Sequence, residues 1–142
     1  MKGKTFAMIK PSCLAFAPEV EVEMKLSGLE IVDSKMVTLS TSQAEEFYAE
    51  HESKPFFCSL VTMLSSAPVM VYELEGYDAI RKWRDLIGPT NPSKGERSQL
   101  RRRYANAEAY LAGSPDNGFH GSANPEDAER ELGLMKKWGI LE

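Results

Sequence analysis

Strand-like and helix-like segments alternate along this chain, which predicts a mixed domain of strands and helices around one sheet. Three observations carry the expectation. Lys4 to Lys10 (K-T-F-A-M-I-K) is a short, mostly apolar run ended by Pro11, as suits a central strand with Lys10 at its end. Phe57, Leu60, Val61 and Leu64 fall at i, i+3, i+4 and i+7, the stripe of an amphipathic helix, and neighbouring Phe56 need not be in the core. Asn124, Pro125, Glu126 and Asp127 read as N-cap, first helical position and acidic first turn, and Ala128, Leu132 and Met135 recur behind them at helical spacing.

The remaining elements follow in order. Glu19 to Leu26 (E-V-E-V-E-M-K-L) alternates strictly, which by period is a strand, and only Val20 and Met24 have helical spacing. Pro18 near the start and Gly28 past the end suit helix boundaries instead, so the local signals disagree here. Leu29 to Leu39 is a long second strand. Ser40 with Gln43 makes a capping box for a helix from Thr41 to about Glu50, with Tyr48 and His51 at its end. Pro68 opens a third strand, V-M-V-Y-E-L-E, which Gly76 breaks. Asp78 to Ile87 is helical through Ile80, Trp83 and Ile87, with Arg84 off the apolar face. Gly88 to Gly95 is a turn-rich loop, Leu100 to Tyr104 a short helix, and Glu108 to Ala112 a last strand. Local pattern does not determine how the strands pair.

At 142 residues the chain is expected to form a single domain, residues 1 to 142. No apolar run approaches the roughly 20 residues of a membrane helix, and M-K-G-K-T has no signal-peptide core behind it, so a cytoplasmic protein is expected. Cys13 and Cys58 lack disulfide or zinc spacing, and Cys58 reads as a small half-buried helix residue. A net charge of −4 argues against general nucleic-acid binding, and the adjacent Arg101, Arg102 and Arg103 point in different directions on a helix, mostly into solvent.

One of only two histidines, His120, lies between glycines in N-G-F-H-G-S-A-N, on an expected loop just ahead of the last helix, with Glu131 two turns into it. N-x-x-H-G-S followed by E-x-A-x-x-E resembles the active-site signature of the nucleoside diphosphate kinase family. Further pieces agree in the family's order: T-F-A-M-I-K-P, F-Y then K-P-F-F, S-S-A-P-V-M-V with E-L-E-G, R-x-x-x-G-x-T-N-P, and R-x-x-Y. Together they span nearly the whole chain.

The resemblance implies an α+β fold, a ferredoxin-like sandwich with a four-stranded antiparallel sheet covered by helices, and with it a helix over Glu19 to Leu26, against the alternating period. It implies transfer of the terminal phosphate of a nucleoside triphosphate to a nucleoside diphosphate through a phosphohistidine at His120. By the same likeness Lys10, Arg84, Thr90 and Arg101 clamp phosphate, Phe56 stacks on the base and Asn117 contacts the sugar. Tyr48 places a hydroxyl near the histidine, Glu131 orients it, and Ser122 completes its hydrogen-bonded shell. The chemistry is coherent: phosphoryl transfer asks mainly for positioning and positive charge, and a neutral imidazole with one nitrogen held is a nucleophile near pH 7. Mg2+ is expected on the nucleotide phosphates without a protein cage. Partners are nucleoside triphosphates and diphosphates and further copies of the chain, in a hexamer or tetramer.

Departures from the family pattern are local. Ser12 to Phe16 replaces an Asp, a small residue and a basic loop; Glu96-Arg97 replaces Pro-Gly; Tyr104 to Asn117 is longer by about two residues; and H-G-S-D-S becomes H-G-S-A-N. They keep every expected catalytic group, so an active enzyme is expected. The alternative is a catalytically weakened nucleotide-binding or regulatory protein of the same fold.

Overall fold

The computed structural model describes residues 2–142. Strands β1 (Lys2–Ile9), β2 (Glu30–Val37), β3 (Val69–Tyr77) and β4 (Phe119–Gly121) form one sheet in the order β2-β3-β1-β4, and every pairing is antiparallel. Helices α1 (Ala17–Leu26), α2 (Thr41–Phe47), α3 (Phe57–Ser66), α4 (Ala79–Ile87), α5 (Leu100–Tyr104), α6 (Ala107–Leu111) and α7 (Pro125–Lys137) connect and cover it. This is the expected α+β, ferredoxin-like arrangement.

β1 is apolar without alternation because both of its faces are buried. Phe6 and Met8 face one core with Phe47, Leu64 and Met135, while Ala7 and Ile9 face the other with Met24, Trp83 and Phe119. The helix expected over the alternating stretch is present as α1. Val20 and Met24 are its buried pair, and Val22 and Leu26, which made the pattern look like a strand, are exposed. The capping box at α2 is complete: Gln43 N–H donates to Ser40 Oγ and Ser40 N–H to Gln43 Oε1. That helix ends at Phe47, sooner than expected, and a 3-10 turn at Ala49–His51 follows.

Several expectations are corrected. Residues 108–112 are not a strand but lie within and just past α6, which Asn106 caps by accepting from Ala109 N–H. The last strand is β4, and His120 is therefore on a strand rather than in a loop. Three residues carry no readable period, and their pairing to Ala7, Met8 and Ile9 is entirely non-local. Gly76 does not break β3 but lies inside it, paired with Gly3, and it is glycine where a Cβ would stand 2.8 Å from the Gly28 carbonyl oxygen. On α4 the fully buried line is Ala79, Trp83 and Ile87, with Ile80 only half-buried. Cys58 is on a helix but exposed, whereas Cys13 is buried. The loop from Gly88 to Gly95 contains a 3-10 turn at Pro92–Lys94.

Candidate functional site

β4 brings His120 to the sheet beside Met8, and the strand is held on its far side as well. Lys10 N–H donates to Gly118 O at 2.8 Å, so in this antiparallel register the carbonyls of Phe119 and Gly121 point away from β1. Arg101 Nη2 donates to Phe119 O at 2.7 Å, and Arg84 Nη1 reaches Gly121 O at 3.5 Å. The fully buried Trp83 donates its indole N–H to His120 O at 2.8 Å. Gly121 has to be glycine, since a Cβ would lie 2.7 Å from Trp83 Cδ1.

The imidazole meets α7 on one edge. His120 Nε2 lies 3.1 Å from Glu131 Oε2, off the line of a good hydrogen bond, and is buried, so Nδ1 is the nitrogen left to the cavity. Ser122 Oγ donates to the other carboxylate oxygen, Oε1, at 2.7 Å and accepts from Phe6 N–H at 3.3 Å. Burial alone would raise the Glu131 pKa, but the His120 ring, Ser122 and Arg130 outweigh it and hold the carboxylate ionised. The ring is flanked by Phe6 and Phe47, with centroids at 5.8 and 5.2 Å.

A cavity of about 900 Å³ opens over this edge. Nine of the ten residues expected at the site line it: Lys10, Tyr48, Phe56, Arg84, Thr90, Arg101, Asn117, His120 and Glu131. Ser122 stands behind Glu131, as an orienting group would. Lys10 is buried and donates to Asn117 Oδ1 at 2.8 Å, and Asn117 Nδ2 donates to Thr90 O at 2.9 Å. Burial, and then the charge of Arg101, lower the Lys10 pKa to about 8. Burial lowers Arg101 to about 10, so it is still charged at neutral pH. Of the three adjacent arginines only Arg101 is buried, with a second hydrogen bond to Gly88 O at 2.7 Å. Burial raises the Tyr48 pKa, leaving its hydroxyl a donor. Phe56 sits exposed at the rim, its ring 5.7 Å from that of His51.

Comparison with known proteins gives the same family throughout. The family model "Nucleoside diphosphate kinase" matches residues 3–137. The chain belongs to the nucleoside diphosphate kinase family. It is 44% identical to the nucleoside diphosphate kinase of Halorhodospira halophila over 94% of this chain and 92% of that one. Among solved structures, the nucleoside diphosphate kinase of Halobacterium salinarum in complex with CDP superposes with a TM-score of 0.87 at 32% identity, covering 100% of this chain and 92% of that one. A transition-state mimic of the Borrelia burgdorferi enzyme, with vanadate and ADP bound, gives 0.86 at 26% identity, covering 99% and 90%. The present chain is accordingly a phosphotransferase of this family.

Some groups at the site were not singled out from the sequence. Trp83 reads as an ordinary core residue, and its N–H is the one clue that a buried indole needs a partner. Phe47 lies in the F-Y pair but reads only as core. His51 lines the cavity with its Nδ1 buried and without a hydrogen bond, and nothing in its spacing marks it. Asp116 lies one residue from Asn117 and looks like an ordinary turn acid.

Proposed function

We propose that His120 carries the phosphate between two nucleotides in a ping-pong cycle. The observation that supports this best is the imidazole itself, with Nε2 against a buried carboxylate and Nδ1 open to a cavity lined by three cations. In the first half-reaction the Nδ1 lone pair attacks the terminal phosphorus of a nucleoside triphosphate. An N–P bond forms, the P–O bond to the leaving diphosphate breaks, and Nε2–H stays with Glu131 throughout. The second half-reaction reverses these steps with the phosphate oxygen of another nucleoside diphosphate as nucleophile.

In this reading Lys10, Arg84 and Arg101 answer the charge spread over the migrating group, and the Thr90 hydroxyl adds a neutral donor. Tyr48 donates near the histidine, Asn117 contacts the sugar, and Phe56 stacks on the base. A single exposed ring discriminates poorly between bases, so broad nucleotide acceptance follows. Family membership implies a divalent metal, and we propose Mg2+ carried by the nucleotide. The lining suits that role, because Asp85 and Asp127 offer carboxylate oxygens, the hard ligands such an ion takes, beside the cations. Bound there, the ion would neutralise phosphate charge. We further propose one catalytic domain, cytoplasmic and assembled into a homo-oligomer, whose mass light scattering would measure.

The test is incubation with ATP and magnesium, followed by intact mass and acid treatment. One acid-labile phosphate that passes to added GDP and is absent from His120→Ala is expected. Nucleotide binding without phosphate on the protein or on GDP would leave only a regulatory nucleotide binder.

A further inference from the structure

Ser12 and Asp116 do not line the cavity, yet together they tie the backbone beyond Lys10 to the backbone before Asn117. Asp116 Oδ1 accepts from Ser12 Oγ at 2.7 Å and from Gly118 N–H at 2.9 Å, and its Oδ2 accepts from Ser12 N–H at 3.0 Å. The chain needs this tie for a simple reason. Regular backbone pairing between the two segments stops at Lys10 N–H to Gly118 O, and the next amide that faces the same side, Ser12 N–H, goes to the Asp116 side chain instead of a backbone carbonyl. The carboxylate takes over there. Lys10 Nζ and Asn117 Oδ1, in contact at 2.8 Å, lie immediately inside it.

We propose that Asp116 and Ser12 form a latch that positions the Lys10 ammonium for the phosphate, with Asp116 acting through Lys10 and not on the substrate itself. This rests on the reading of Lys10 as a phosphate group above. Three directed bonds to one carboxylate are more than a loop turn needs, and the two from Ser12 span 104 residues of sequence. The Asp116 charge also offsets part of the cost of burying Lys10, against the effects of burial and Arg101.

The test is a double-mutant cycle of Asp116→Ala and Lys10→Met in steady-state phosphotransfer, with folding checked by thermal denaturation. Misplacing a catalytic group by about 1 Å costs on the order of 10²-fold, so Asp116→Ala should lower kcat/KM by about 10- to 100-fold. The loss should fall mainly in kcat, since Phe56, Arg84 and Arg101 still hold the nucleotide. Ser12→Ala should cost less, because its N–H remains on Oδ2. In the Lys10→Met background Asp116→Ala should add no more than about twofold. Should Asp116→Ala fail to fold, isosteric Asp116→Asn takes its place in the cycle. An equal loss in both backgrounds would reduce the latch to plain stabilisation, and no loss in the parent would remove it. Full activity of Lys10→Met would instead overturn the phosphate reading of Lys10 itself, and the latch with it.

Discussion

Gly121→Ala should damage the protein out of proportion to the one methyl group it adds. The new Cβ would stand 2.7 Å from Trp83 Cδ1 and 3.0 Å from Trp83 Nε1, with Ile87 Cδ1 at 3.5 Å behind them. Carbon atoms rest about 3.5 Å apart or more, so the indole must retreat by about 0.8 Å. It has little room to do so, being fully buried and edge-on to Phe119 at 6.3 Å. Overpacking costs about 1–3 kcal/mol, and straining the Trp83 bond to His120 O adds about 1 kcal/mol, giving about 2–4 kcal/mol in all. Urea denaturation measures this directly, and phosphate incorporation should fall with it, because the strained bond is on the histidine. Gly133→Ala is the matched control. It adds a methyl at an exposed helical position with nothing within 4 Å and should stabilise by about 0.5–1 kcal/mol. A Gly121→Ala loss under about 1 kcal/mol would refute the argument that the indole and β4 are locked together.

Other outcomes follow from the same geometry. Ser122→Ala strips one hydrogen bond from the buried Glu131 carboxylate and one from Phe6 N–H, and should cost about 2–4 kcal/mol in thermal or denaturant unfolding. Lys10, lowered to about 8 from an ordinary 10.5, binds fewer protons folded than unfolded between those values, so the free protein should gain stability as pH rises through that window. Binding of a nucleoside diphosphate needs the charged form, so its Kd should rise by up to about tenfold per pH unit above 8; a titration flat from about 8 to 9.5 would exclude Lys10 from phosphate recognition. Phe56→Ala should raise the nucleotide KM about 5- to 150-fold, by loss of about 1–3 kcal/mol of stacking, with kcat nearly unchanged in initial-rate assays.

What could be read in advance divides by the range of the interaction. α2 and α7 are written in local chemistry, with caps at Ser40 and Asn124 and acids in the first turn of α7, and both stand where those residues put them. α1 was legible only through the family resemblance, with Pro18 and Gly28 in support, because Val22 and Leu26 carry apolar side chains into the open and mimic a strand. β4 was illegible: three residues show no period, and their partner strand lies more than 100 residues earlier. The candidate site was visible as a family resemblance spread over short motifs, and the cavity gathers nearly all of those residues. Its supports were not visible. Trp83 donates through its indole N–H to His120 O, and Asp116 accepts from Ser12 through both carboxylate oxygens, contacts that folding alone supplies.

The arginines on the outer side of β4 carry a consequence for how kinetic data on them are interpreted. Arg101 holds Phe119 O, and Arg84 approaches Gly121 O, so both guanidinium groups are attached to the strand bearing the nucleophile before any substrate arrives. Truncating either one removes a cation and also frees an edge of that strand, and the two losses enter a single rate constant. A drop in kcat/KM for Arg101→Ala is therefore not the energy of a phosphate contact. Added guanidinium ion, which can refill the charge but cannot re-tether Phe119 O with the geometry of the lost side chain, would separate the two: the fraction of rate it restores belongs to charge, and the remainder to the strand.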